Sequence, residues 1–398
     1  MSVRPLEGIR VVDLTHVLAG PYCTYQLGLL GAEIVKVEVP GGEWLRHQGP
    51  PGAGRDAGLG AGFLAQSAGK RMIAVDIRAP EGAEIVRALA RTCDVFVENL
   101  TPGVAAGAGL GDAALRTLNP RLIYASITGF GQDGPFAGWP AYDHIVQAMS
   151  GLMSLTGTPE SGPLRVGPPV VDYLTGLHAA FAIMAALAAR ERDGGFQRVD
   201  IAMRDCAFAA MSSVISAHVN AGVVPKAAGN IPASDSPSAG VFDTADGKLA
   251  LAANTERQFE RLCAVLERPD WLRDPRFATR PERARHAPAL RVEIAQALAA
   301  RGAAEWEALL MQADVPAGRV RTLPEAVAEP HTEARGMLRR LDSHTLMGTA
   351  FKLNGAPFAP AQAPRAIGTD TEAVLGELGY DGPTIDGLVR SGVIEVAR

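Results

Sequence analysis

The chain has 398 residues, 47% of them apolar and 20% charged, and carries a net charge of −5. That length exceeds one ordinary domain and points to two, and the apolar content supplies a packed core and excludes disorder. The acidic balance argues against nucleic acid and anionic membrane as partners, since both require a basic patch.

The opening Met-Ser-Val-Arg-Pro-Leu-Glu carries acid early and does not read as a signal peptide. Residues 9–14 form the first predicted strand and residues 21–30 the helix after it. Strands are predicted at 33–39, 72–76, 94–98 and 122–127, with a helix over 81–91. Short β-branched runs alternating with helical patterns indicate βαβ units and a largely parallel sheet. Residues 49–62 are glycine-rich and are expected to form a mobile surface loop over the sheet edge. A second helix opens at Tyr142-Asp143-His144. The apolar run from 177 to 189 is preceded by Asp172 and ends in Arg190-Glu-Arg-Asp, the pattern of a buried core helix rather than a membrane span. A strand over 198–203 and a helix over 206–219 follow, then a Gly/Pro/Ala/Ser-rich crossover. Residues 240–253 read as a hairpin turning at Ala245-Asp-Gly247. A helical stretch to about residue 310 and strand character at 315–320, 337–341 and 349–353 complete the chain.

Four cysteines, Cys23, Cys93, Cys206 and Cys263, lie far apart with no C-x-x-C pair. This excludes a zinc ribbon and a thioredoxin-type motif, and no metal site is expected. Reduced thiols in a cytoplasmic protein are.

In parallel α/β sheets, ligands bind beyond the carboxyl ends of the strands. Three loops therefore stand out: residues 15–21, 99–103 and 129–135. Asp172 has two readings. As an N-cap, its oxygen would satisfy the orphan N–H groups of its helix. As a reactive group, it would be a carboxylate held at the positive end of a helix and available as a nucleophile.

Several blocks, in order over nearly the whole chain, resemble one family. They are Leu6-Glu-Gly-Ile-Arg-Val-Val-Asp-Leu-Thr15, Leu18-Ala-Gly-Pro-Tyr22, Leu30-Gly-Ala-Glu-Ile-Val-Lys-Val-Glu38, Asn119-Pro-Arg-Leu-Ile-Tyr124, Gly129-Phe-Gly-Gln-Asp-Gly-Pro135 and Gln197-Arg-Val-Asp-Ile-Ala-Met203. The family is the class III CoA-transferases, of CaiB/BaiF type. Formyl-CoA and carnitine CoA-transferases and the α-methylacyl-CoA racemases are among its members.

The resemblance implies a Rossmann-like large α/β domain with a parallel sheet, over residues 1–222 and 325–398, and a smaller α+β domain over 223–324. It also implies two subunits interlocked as a homodimer. Asp172 falls at the family's nucleophile, and Tyr142 and Asp143 at positions bordering the acyl group. Leu18, Ala19, Val75, Arg78, Asn99, Leu100 and Ala141 fall at positions that line the coenzyme A site. Acyl-CoA enters as substrate, with no permanently bound cofactor.

The racemases place a histidine immediately before the aspartate corresponding to Asp143. This chain has Tyr142 there, as the transferases do, and His144 lies on another face of the helix. Basic residues that formyl-CoA transferases use around CoA are absent at Val39, Gly107 and Pro140, leaving Arg46, Lys70 or Arg71 as candidates to compensate. The glycine run of those enzymes is absent too, and residues 234–240 become the substrate-loop candidate. The reading is transfer of CoA from an acyl-CoA, with succinyl-CoA a candidate donor, to a carboxylic and specifically a dicarboxylic acid. An acyl-CoA racemase and a non-catalytic acyl-CoA-binding protein are the alternatives.

Overall fold

The structure, a computed structural model, describes residues 4–50, 58–232, 234 and 236–397. Its contacts divide the chain into two compact units. One comprises residues 1–153, 165–225 and 330–398, the other residues 154–164 and 226–329.

The larger unit is built on β1 (Arg10–Leu14), α1 (Ala19–Leu29), β2 (Glu33–Glu38), α2 (Ala61–Ser67), β3 (Arg71–Val75), α3 (Pro80–Thr92), β4 (Val95–Glu98) and β5 (Ile123–Thr128). After these come α4 (Asp143–Met149), α5 (Val170–Asp193), β6 (Gln197–Ala202), α6 (Met203–Ala210), α7 (Ser212–Ala221) and β7 (Ile394–Glu395). The strands form one sheet in the order β7-β3-β2-β1-β4-β5-β6. Every neighbouring pair is parallel except β7 against β3, where the chain end returns antiparallel.

Period-two alternation divides the core between the two faces of this sheet. Val12, Leu14, Val35, Val37, Phe96 and Tyr124 point to one side, where α3 and the helices Asp112–Leu118, Thr371–Glu377 and Gly382–Arg390 cover them. Val11, Ile34, Val95, Val97, Ile123 and Ala125 point to the other, under α1 and α5. Both faces are thus buried, as a parallel sheet requires. Strand order reverses between β1 and β4, so the crevice beyond their carboxyl ends is the topological switch point.

Two local expectations are revised. The helix expected over 206–219 is two helices, α6 and α7, with Met211 between them outside the regular α region. Residues 49–62 include 51–57, which lie outside the described residues, and α2 already begins at Ala61.

The smaller unit carries the hairpin Ala239–Asp243 and Lys248–Ala252, with Ala317–Arg319 added antiparallel. Phe259, Trp271, Phe277, Leu290 and Trp306 fill its core. Its first long helix, Glu256–Val265, opens on a capping box between Thr255 and Gln258.

Candidate active site

Asp172 lies in the first turn of α5, but it does not cap the helix. The N-cap position is Pro169, which has no side-chain acceptor to offer. The cap is supplied from another helix. One oxygen of Asp143, at the start of α4, accepts the backbone N–H of Val171 at 2.8 Å and that of Asp172 at 3.1 Å. The other oxygen accepts Gln147 Nε2 at 2.5 Å, and Gln147 Oε1 accepts the N–H of Val166 at 2.9 Å. Asp143 and Gln147 are four residues apart, hence on one face of α4, and both are buried. Together they hold the chain entering α5 and satisfy its orphan donors.

The consequence is a spare carboxylate. Among the described residues, no hydrogen bond reaches the side chain of Asp172. Burial and, next to it, the Asp143 charge push it up to about 7. A carboxylate that its surroundings do not stabilise is a stronger base and nucleophile than one in water. Asp143, by contrast, is committed to three donors, and Tyr142 beside it is 64% exposed with its ring stacked on that of His144. His144 is itself exposed and lies beside Tyr142 rather than on a separate face, because Tyr142 is the extended N-cap and the two-residue helical rotation does not apply to it.

The first turn of α5 sits against the start of α1. A Cβ on Gly176, one turn beyond Asp172, would fall 2.6 Å from the Ala19 carbonyl oxygen and 3.0 Å from the Tyr22 ring. Only glycine permits that approach. Tyr22 also packs edge-on to Tyr173, with ring centroids 4.9 Å apart. Ala141 is placed by similar tightness, since a Cβ on Gly129 would meet its Cβ at 2.2 Å.

The remaining expected residues gather at the switch point. Leu18 and Ala19, both buried, open α1 just beyond β1. Val75 and Leu100 line a cavity of about 250 Å³ at the carboxyl ends of the strands, together with His16, Val37, Glu43 and Trp44. Asn99 bridges the loops after β1 and β4, accepting the His16 N–H at 2.9 Å and donating to the His16 carbonyl at 2.8 Å. Arg78 is exposed nearby, its guanidinium folded onto Asp76 at 2.8 and 2.9 Å.

The three basic residues considered as compensating phosphate ligands are otherwise engaged. Lys70 is buried and donates to Asp13, the Pro21 carbonyl and Thr24, all within 2.9 Å. Arg46 is buried in a two-pronged pair with Glu38 at 2.6 and 2.7 Å. Arg71, at the opposite end of β3, binds Glu33 and Glu377. In the smaller unit, Ser236 and Ser238 of the expected substrate loop are buried, with both hydroxyls donated to the Ala253 carbonyl. Asp235 of that loop lies outside the described residues.

Gln147 is legible in the sequence as the end of the polar cluster that opens at Tyr142, and Gly176 as the end of the stretch from Asp172, but the sequence assigns neither the part it plays here. Nothing local marks Glu43.

Residues 6–371 match the family model described as CoA-transferase family III. The chain is 40% identical over 369 residues to the succinate–glutarate CoA-transferase of Agrobacterium fabrum, covering 90% of each protein. It is 36% identical to the mouse succinyl-CoA:glutarate CoA-transferase, over 99% of this chain and 91% of that one. A CaiB/BaiF family protein from Brucella suis, solved by crystallography, superposes with a TM-score of 0.86 at 34% identity, covering 94% of this chain and 99% of that one.

Proposed function

Because the chain belongs to CoA-transferase family III, we propose that this CoA-transferase moves CoA from succinyl-CoA to a dicarboxylic acid of the size of glutarate, with Asp172 as nucleophile. The observation that carries the role of Asp172 is that Asp143 supplies the cap of its helix, leaving its own carboxylate half-buried, raised to about 7 and uncommitted. The acceptor class rests on relatives named for glutarate, D-citramalate and mesaconate.

In the proposed cycle, a carboxylate oxygen of Asp172 attacks the thioester carbonyl of the donor and CoA leaves as thiolate, giving an aspartyl–acyl anhydride. The thiolate attacks the aspartyl carbonyl, forming an aspartyl-CoA thioester and releasing the donor acid as carboxylate. The acceptor carboxylate then attacks that thioester, displacing thiolate again, and the thiolate attacks the acceptor's acyl carbon. Acceptor-CoA departs and Asp172 is regenerated. No water enters, so the site must exclude it from the anhydride.

CoA is proposed to lie across the switch point, its adenosine end in the apolar cavity beside Val75 and Leu100. Leu18, Ala19 and Ala141 would border its chain toward Asp172, with Asn99 holding the loops. Arg78, exposed and free to turn away from Asp76, is the cation proposed for a phosphate. Tyr142 would border the acyl group, and Asp143 would act on it through the α5 terminus.

We further propose a homodimer, interlocked as in the family. α5 is long and apolar yet only 44% buried over its most apolar stretch, and Leu177, Phe181 and Met184 lie exposed along it. A second copy would cover that face. The four cysteines are unpaired and buried, which supports a reducing, cytoplasmic setting.

The test is intact-mass measurement after brief incubation with succinyl-CoA, with and without hydroxylamine and then with glutarate. A hydroxylamine-sensitive adduct mapping to Asp172, absent in Asp172→Asn and discharged by glutarate, is expected. CoA binding without any adduct would overturn the covalent route.

A further inference from the structure

The loop between β1 and α1 is held in an unusual way. All six backbone polar groups of Thr15, His16 and Val17 are bonded to side chains. Asp13 accepts the Thr15 N–H at 3.0 Å, and Lys36 donates to the Thr15 carbonyl at 2.5 Å. Asn99 takes both groups of His16. Glu43 Oε2 accepts the Val17 N–H at 2.9 Å, and Gln66 Nε2 donates to the Val17 carbonyl. These side chains come from β1, β2, α2 and the segments following β2 and β4.

The restraint has an evident object. Val17 adopts a φ of +66°. For a β-branched residue the left-handed region is a steric outlier that persists only where the surroundings impose it. The two groups that impose it, Glu43 and Gln66, are both buried. Glu43 is steadied by Lys36 at 4.0 Å, and Lys36 is itself fully buried. Directly after Val17 come Leu18 and Ala19, so the conformation of Val17 sets the direction in which the chain enters α1. If Val17 relaxed to ordinary φ, the first turn of α1 would swing relative to the cavity and to Gly176.

We propose that Glu43 is a positioning residue: by holding Val17 in the left-handed conformation it fixes the first turn of α1 in the geometry that receives CoA. This rests on the CoA-transferase reading above, and it assigns Glu43 a role through Val17 rather than through contact with ligand. Because Glu43 also lines the cavity, the test must separate the two.

The discriminating experiment is a double-mutant cycle on the full chain, read by calorimetric titration with CoA. Glu43→Met removes the acceptor, and Glu43→Gln keeps an acceptor for the Val17 N–H. Val17→Gly makes the left-handed conformation accessible without imposition. Glu43→Met is expected to weaken CoA about tenfold, the order of the left-handed penalty for a residue bearing a Cβ. Glu43→Gln should retain most of the affinity. In the Val17→Gly background, the Glu43→Met loss should shrink to about threefold or less. Equal losses in both backgrounds would show direct contact or general destabilisation and overturn the inference. So would an unchanged affinity in Glu43→Met. If Glu43→Met does not fold, Gln66→Met removes the other half of the clamp and is read against Val17→Gly by the same criterion. Wild-type protein that binds no CoA would instead overturn the functional reading, and this inference with it.

Discussion

Replacing Asp143 by asparagine changes one oxygen to an NH₂ group and tests the device that frees Asp172. One oxygen of Asp143 serves Val171 and Asp172, and the other receives Gln147. The asparagine oxygen can still serve the two backbone groups, but its NH₂ then faces the Gln147 NH₂. Turning the Gln147 amide over does not help, because its NH₂ would then face the Val166 N–H, which now donates to Gln147 Oε1. One hydrogen bond is lost in any arrangement, and a buried donor is left unsatisfied at a cost of about 1–3 kcal/mol. Hydrogen exchange of the Val166, Val171 and Asp172 amides should therefore accelerate by about 5- to 150-fold at fixed protein concentration. Adding Gln147→Glu should reverse most of this. A carboxylate at 147 accepts both the Val166 N–H and the asparagine NH₂, and restores the local charge. Wild-type exchange in Asp143→Asn, or a double variant as fast as the single one, would refute the argument.

The raised Asp172 gives a second expectation with a definite sign. Its folded pKa of about 7 lies above the unfolded carboxylate range, so the folded state binds the extra proton and stability falls as pH rises toward 7. Asp172→Asn should therefore melt higher than wild type at pH 8, with the difference vanishing near pH 4; a lower melting point at pH 8 would contradict this. Adduct formation, which needs the carboxylate, should rise with pH through about 7. Asp143→Asn removes a like charge and should move that rise to lower pH, as pH-dependent single-turnover kinetics would record. Gly176→Ala should be destabilising by about 1–3 kcal/mol despite alanine's better helix propensity, because its Cβ meets the Ala19 carbonyl at 2.6 Å. Thermal melting checks it, and a neutral or stabilising result would show that α1 and α5 are not in close contact. Lys70→Met should cost about 3–5 kcal/mol by removing the cation hydrogen-bonded to the buried Asp13, leaving it only the more distant Lys36 and the Thr15 and Thr24 hydroxyls. Soluble yield and melting temperature should partly recover in the Asp13→Asn/Lys70→Met pair.

Much of the fold is legible along the chain because its signals are local. Val11-Val12 and Val95-Phe96-Val97 are short, largely β-branched apolar runs within single strands, as strands buried on both faces require, and their alternation with helical patterns implies the parallel sheet. The position of Asp172 at a helix start is equally local, following from the apolar run after it. The short return strand Ile394–Glu395 escaped because two residues carry no period.

The site divides along the same line. The sequence by itself determined the sheet, the loops at its carboxyl ends and the placing of Asp172 in a first turn, since each depends on neighbours a few residues apart. Only the tertiary structure decided that Asp143 caps a helix 28 residues away, that Lys70 and Arg46 are buried partners of Asp13 and Glu38, and that Glu43 reaches Val17. Each of those pairings depends on how strands and helices register against one another. A lysine or glutamate has the same local sequence signature whether it meets water or a buried opposite charge.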